Sequence, residues 1–165
     1  DPRRFGYLDI IPASGEAEHP LLSHLGIEPL SNHLSGPWLS DVLRGKKTPI
    51  KSALLDQRLI AGLGNIYVNE ALHMSGISPR RLAQTIAGKR AEKLVIAIRT
   101  VLAAAIEAGG TSLRDHVQPG GEIGYFVQRL SVYGRTSEPC LTCATPIKEL
   151  RQSGRASFYC PSCQR

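Results

Sequence analysis

Leu54-Leu55-Asp56-Gln57-Arg58-Leu59-Ile60-Ala61-Gly62-Leu63-Gly64-Asn65-Ile66-Tyr67-Val68-Asn69-Glu70-Ala71-Leu72 is the stretch on which the fold of this chain turns. Leu54, Leu55, Leu59 and Ile60 recur at helical spacing, with Asp56, Gln57 and Arg58 on the opposite face. Gly62 and Gly64 interrupt the pattern, and it resumes at Ile66, Val68, Ala71 and Leu72. The expectation is a helix, a tight glycine turn and a second helix. Gly62 suits a left-handed helix C-cap, and Gly64 lets the backbone come close to another group. Asn65 opens the second helix, where unpaired N–H groups and a partial positive charge form a seat for phosphate. An N-capping Asn in an ordinary helical hairpin has the same pattern, so the spacing by itself leaves both readings open.

Around this stretch the charge is uneven. The 165 residues carry a net charge of +6, with 20 basic and 14 acidic side chains. Residues 1–45 hold three basic and six acidic residues, whereas residues 46–165 hold 17 basic and eight acidic. A basic C-terminal portion suits a polyanion, with nucleic acid the first candidate. No apolar run is long enough to span a bilayer and no secretory leader is visible, so no membrane partner is expected and the cytoplasm is the expected compartment.

The four cysteines follow the pattern Cys140-x-x-Cys143 and Cys160-x-x-Cys163, with 16 residues between the pairs. That spacing is the signature of one structural zinc held by four thiolates. Two disulfides are the alternative, and they belong to secreted scaffolds. Between the pairs, residues 147–151 and 156–159 read as strands, with Gln152-Ser153-Gly154-Arg155 as the turn. The metal therefore anchors a β-hairpin with Arg155 near its tip.

The remaining segments are plainer. Phe5 to Ile11 alternate like a strand but have no partner strand nearby. Residues 12–36 are rich in Pro, Gly, Ser and His and read as a linker; His19, His24 and His33 match no metal-site spacing. From Pro37 a helix is expected, with Trp38, Leu39, Val42 and Leu43 on its apolar face and Gly45 at its end. Lys46, Lys47 and Lys51 follow as a candidate phosphate-backbone clamp. A long helix over residues 91–108, stopped by Gly109-Gly110, is expected to pack the core. Residues 111–128 form a glycine-rich connection without a nucleotide-binding loop signature.

Several of these pieces together resemble the formamidopyrimidine-DNA glycosylases. The run Gly62-Leu63-Gly64-Asn65-Ile66-Tyr67 with Glu70-Ala71-Leu72 is similar to that family's helix–two-turns–helix signature. Leu25 to Leu30 resembles its interdomain segment, and Val132-Tyr133-Gly134-Arg135 with Gly154 to Pro161 resembles its zinc finger. Asp1-Pro2-Arg3-Arg4-Phe5-Gly6 resembles an internal motif at the end of its N-terminal β-sandwich.

The resemblance implies a mainly α fold: a helix–two-turns–helix DNA-binding domain over residues 37–128 and a zinc-anchored β-hairpin over 129–165. These follow a linker at 12–36 and a remnant strand, 1–11, of a β-sandwich domain absent from this stretch. It implies one zinc ion on Cys140, Cys143, Cys160 and Cys163. It implies a monomer that binds double-stranded DNA carrying a damaged base or an abasic site, in a bacterial-type cytoplasm at the nucleoid. By the same resemblance, Asn65 and Lys46 contact the DNA backbone, Arg4 lies near phosphate and Arg3 faces the base left unpaired by flipping. Phe5 wedges into the stack, and loop 111–125 closes over an extruded oxidised purine.

Arg155 enters at the lesion and is assigned to δ-elimination. An arginine is a poor acid at neutral pH, so electrostatic stabilisation of the departing phosphate suits it better than proton donation. Family enzymes attack with an N-terminal proline, assisted by a glutamate and a lysine, and none of these has a counterpart here. Pro2 is acylated by Asp1 and has no free lone pair. The expectation is DNA binding without base excision by these residues alone, in the DNA-binding half of a base-excision repair glycosylase and abasic-site lyase. An endonuclease VIII-type enzyme for oxidised pyrimidines, or a non-enzymatic zinc-containing nucleic-acid module, is the alternative.

Overall fold

The computed structural model describes residue 6, residues 8–111 and residues 125–165. Arg3, Arg4 and Phe5 lie outside the described residues, as does the expected capping loop except for its ends, Thr111 and Tyr125. Among the described residues there are four α-helices: α1 (Gly36–Val42), α2 (Ile50–Leu54), α3 (Asn65–Ser75) and α4 (Lys89–Glu107). One antiparallel hairpin follows, made of β1 (Lys148–Gln152) and β2 (Arg155–Tyr159). None of the helices is long and apolar enough to cross a membrane.

The segment read as a linker is partly built into the body. Leu8 and Ile10 are exposed and belong to no strand, and Ala13–Glu18 forms a 3-10 turn. Further on, Gly26 N–H donates to Gln57 O at 2.8 Å, and Ala61 N–H donates to Ile27 O at 2.9 Å. Ile27 and Ile60 thereby form a parallel bridge. The Arg99 guanidinium of α4 donates to the carbonyls of Ser31 (2.8 Å) and Leu34 (2.9 Å), fixing the stretch that leads into α1. Ser35 then caps α1, its hydroxyl accepting from Trp38 N–H at 3.3 Å, with Pro37 in the first turn.

The opening stretch folds differently from the expected helix over Leu54 to Ile60. Helix α2 ends at Leu54, and two turns carry the chain from Leu55 to Leu63. Asp56 is the cause: its Oδ1 accepts from Arg58 N–H at 3.1 Å and from Arg58 Nε at 2.9 Å. Such an Asx turn competes with helical hydrogen bonding. Leu59 and Ile60 still reach the core, but from a turn. Gln57 clasps the second turn, accepting from Gly62 N–H at 2.8 Å and donating to Leu63 O at 3.3 Å. Gly62 sits at φ +80°, left-handed as expected, but it closes the second turn rather than capping a helix, since α2 has ended at Leu54.

Helix α3 begins at Asn65, as expected, and Gly76 at φ +71° ends it. Helix α4 packs across both α1 and α3. Leu39, Leu43, Ile50, Leu54, Leu72, Leu94 and Ile98 form the centre of one apolar core. A second, smaller core gathers Val132, Cys140, Ile147, Phe158 and Cys160 under the hairpin, with Tyr133 edge-on to Phe158 at a centroid distance of 4.9 Å.

The two cores are tied by a buried carboxylate. Glu70 of α3 accepts the backbone N–H groups of Ser131 (2.8 Å), Val132 (3.0 Å) and Tyr133 (2.9 Å), which open the cysteine module. Three N–H donors lose their acceptor if it is removed, so Glu70→Ala should cost about 3 kcal/mol. A denaturant titration checks the size of the loss, and hydrogen exchange at residues 131–133 should accelerate in the variant.

Candidate nucleic-acid interface and metal centre

The hairpin lies on α2 and α3 through polar side chains. Lys51 of α2 is fully buried; its Nζ donates to Ala156 O at 2.6 Å and to Ser157 Oγ at 2.7 Å. Asn65 Nδ2 donates to the same Ala156 carbonyl at 3.2 Å. Asn69, one turn further along α3, accepts from Phe158 N–H at 2.7 Å. At the tip, Ser52 Oγ and Ser153 Oγ are 3.0 Å apart, and Gln152 Nε2 donates to Pro79 O at 3.2 Å. Ser153 (φ +48°) and Gly154 (φ +76°) make a two-residue turn with left-handed backbone at both positions. Arg155 is consequently the first residue of β2 rather than part of the turn, and its side chain is exposed.

These contacts revise the expected lysine clamp. Lys46 and Lys47 are exposed on the loop before α2, but Lys51 points inward and holds β2. Burial, and then the charge of Arg155, pull the Lys51 ammonium down to about 8. The capping reading of Asn65 is also set aside. Gly64 is the N-cap of α3 and no side chain caps it, while the Asn65 amide turns to the hairpin. A Cβ added at Gly62 or Gly64 would meet nothing within 4 Å, so this face of the turn is open. Asn65 and Lys51 thus converge on the carbonyl of Ala156, the residue next to Arg155, beside an open helix N-terminus.

The four cysteine sulfurs lie within 4.8 Å of one another. Cys143 Sγ is 3.4 Å from the sulfurs of both Cys160 and Cys163, and Cys140 Sγ is 3.9 Å from that of Cys163. Zn–S bonds of about 2.3 Å at tetrahedral angles require sulfurs about 3.8 Å apart, so the donor set fits one zinc ion. Cys143 is held down to about 6 by hydrogen bonds from Thr145, while Cys163 is pushed up to about 12, chiefly by the neighbouring Cys143 sulfur. The ion would cross-link two knuckles that the hairpin joins. His73 of α3 adds a contact from outside, its Nε2 lying 3.6 Å from Cys140 Sγ. His19, His24 and His33 join no metal-ligating cluster among the described residues; His19 pairs with Asp9 at 3.1 Å.

Sequence pattern does not single out Asn69, Glu70 or His73 as site residues. A signal is present in part: Asn69 and Glu70 interrupt the apolar face formed by Val68, Ala71 and Leu72, where polar residues need partners.

A helix, two turns and a second helix opening on asparagine, laid under a four-cysteine hairpin, define a helix–two-turns–helix protein with a zinc finger. The family model described as the formamidopyrimidine-DNA glycosylase H2TH domain matches residues 25–117, and a zinc finger found in FPG and IleRS matches residues 137–165. The chain belongs to the formamidopyrimidine-DNA glycosylase H2TH family.

Among curated relatives, the formamidopyrimidine-DNA glycosylase of Beijerinckia indica is 55% identical over 173 residues, covering 100% of this chain and 60% of that protein. That of Rhodospirillum centenum is 56% identical over 171 residues, covering 100% and 59%. The crystal structure of MutM (Fpg) from Thermus thermophilus superposes with a TM-score of 0.92 at 44% identity, covering 99% of this chain and 62% of that one. Lactococcus lactis Fpg in complex with abasic-site DNA gives 0.91 at 33% identity, covering 100% and 60%. The chain therefore spans about 60% of the length of the relatives it matches.

Two outcomes check the site. Chelating the zinc should melt the hairpin while the helical circular dichroism signal persists, and four thiols should become titratable by a thiol reagent. For Lys51 the folded-state value lies below the unfolded one, so the unfolded chain holds more protons between pH 8 and 10.5 and stability rises with pH across that window. Lys51→Met should abolish this rise, measured as the difference between the two melting curves over the same pH range.

Proposed function

We propose that this chain is the damaged-DNA-binding portion of a bifunctional DNA glycosylase and abasic-site lyase acting on oxidised purines such as 8-oxoguanine and formamidopyrimidines. The observation that carries the proposal is the convergence of Asn65, at the open start of α3, with the exposed Arg155 hairpin through the Ala156 carbonyl. A helix N-terminus beside a guanidinium that has no carboxylate partner among the described residues suits a phosphate of a DNA backbone. The Lactococcus lactis relatives crystallised with abasic-site and Fapy-dG DNA support the same substrate class.

In this reading Asn65 and Lys46 hold the backbone, Lys51 acts by holding the hairpin, and Arg155 stabilises the phosphate that departs in δ-elimination. Arg3, Arg4 and Phe5 fill the gap left by the flipped nucleotide, with residues 1–11 completing a β-sandwich domain. Residues 12–36 link to the helix–two-turns–helix domain, 37–128, whose loop 111–125 covers the base, and 129–165 form the zinc finger. The glycosylase chemistry belongs to the longer protein, which works as a monomer on the bacterial chromosome in the cytoplasm.

Equilibrium binding of the zinc-loaded chain to a duplex with a single abasic-site analogue tests the reading. Asn65→Ala and Arg155→Ala should each weaken binding about tenfold, the loss of one charge-assisted contact. Wild-type affinity in both variants would overturn the site assignment.

A further inference from the structure

Two elements of the proposed interface come from distant parts of the chain. Asn65 sits on α3, and Arg155 starts β2. A rigid phosphate contact needs them held at a fixed separation. The residue that spans both is Asn69. Its side chain is 1% exposed, and both its amide nitrogen and its amide oxygen are engaged. Nδ2 donates to Asn65 O at 2.7 Å and lies 3.5 Å from Asn65 Oδ1, while Oδ1 accepts from Phe158 N–H at 2.7 Å.

The chemistry of this link is directional. The amide meets both demands, its oxygen accepting from a strand N–H while its nitrogen donates to a helix carbonyl. Along β2, Phe158 is three residues from Arg155 and two from Ala156, whose carbonyl takes the Asn65 amide. Asn65 and β2 are therefore closed into a small loop of hydrogen bonds: Asn65 to Ala156, Ala156 along the strand to Phe158, Phe158 to Asn69, and Asn69 back to Asn65. Lys51 also braces the strand, at Ala156 O and Ser157 Oγ. Among the described residues, Asn69 is the side chain that bonds both partners, and it sets the Asn65 main chain against the strand that carries Arg155.

We infer that Asn69 is a positioning residue for DNA recognition: it couples the Asn65 phosphate seat to the Arg155 hairpin so that the two engage one damaged duplex as a unit. The inference rests on the proposed DNA-binding role of Asn65 and Arg155. It assigns Asn69 no contact with DNA. Its consequence is energetic coupling, since residues sharing one hydrogen-bonded network respond to mutation non-additively.

The test is a double-mutant cycle on the zinc-loaded full chain, read as affinity for a duplex carrying one tetrahydrofuran abasic-site analogue. In the wild-type background, Asn65→Ala and Arg155→Ala together should lose about fivefold less affinity than the product of their single losses. In the Asn69→Asp background the Phe158 acceptor is kept but the donor to Asn65 O is gone, and the same pair should become multiplicative. Discrimination between abasic and undamaged duplex should fall as well. Zinc content and melting temperature, measured in parallel, show that each variant is folded; Asn69→Ala, which removes the donor to Asn65 O together with the Phe158 acceptor, serves if Asn69→Asp does not fold.

A merely structural Asn69 would lower the melting temperature and leave the coupling intact, and that result would overturn the inference while sparing the proposed site. Single variants at Asn65 and Arg155 that bind like wild type would instead overturn the proposed site, and this inference with it.

Discussion

The Ala156 carbonyl receives Lys51 Nζ at 2.6 Å and Asn65 Nδ2 at 3.2 Å, and the relation between the helical body and the cysteine module depends on that meeting. A two-stranded hairpin of five residues per strand is at best marginal on its own in water. Here its backbone groups are taken up by side chains of α2 and α3, and its far end is closed by four thiolates around one metal position. Each device covers what the other leaves open. The polar contacts set the register of β2, and the metal position restrains the two knuckles at the base of the hairpin.

Polar seams of this kind hold geometry more tightly than apolar ones, because a buried donor without an acceptor is costly and a shifted strand would orphan several at once. Glu70 applies the same logic at the entrance to the module, where one carboxylate gathers the N–H groups of Ser131, Val132 and Tyr133. Helix α3 is thus the spine of the assembly. Its first turn faces the hairpin tip, its middle holds the linker into the second core, and its last turn reaches the cysteines through His73.

Elements whose information is local were legible in the amino-acid pattern. The start of α3 at Asn65, its end at Gly76, the body of α4 and the strands between the cysteine pairs all follow from periodicity and glycine placement. The four metal-ligating positions follow from spacing, since two short-bite pairs leave few alternatives. Residues 54–60 misled because helical periodicity and a double turn can bury the same side chains. Leu59 and Ile60 pack inward either way, and only the Asx turn at Asp56 separates the two outcomes. Lys51 misled for a related reason. A lysine beside Lys46 and Lys47 reads as part of a basic surface, and nothing local reveals an acceptor 105 residues away. Asn69 and Glu70 carry the same lesson: their partners lie 89 and 61–63 residues downstream, beyond any window of periodicity.

The electrostatics of the tip bear on why such a seam is built from a lysine at all. A methionine would fill the space beneath Ala156 with no charge to bury, and buried charges that lack a carboxylate are costly. Lys51 has none: among the described residues the charge acting on it is that of Arg155, which repels it. The start of α3 adds a partial positive charge of the same sign. Like charges gathered at one corner raise the energy of the chain standing alone. An anion beside the exposed Arg155 would lower that cost. A fold that sought only stability would not concentrate cations in this way. Lys51 commits its ammonium to β2, so the hydrogen-bonded seam carries this repulsion while it holds Arg155 at the exposed start of the strand.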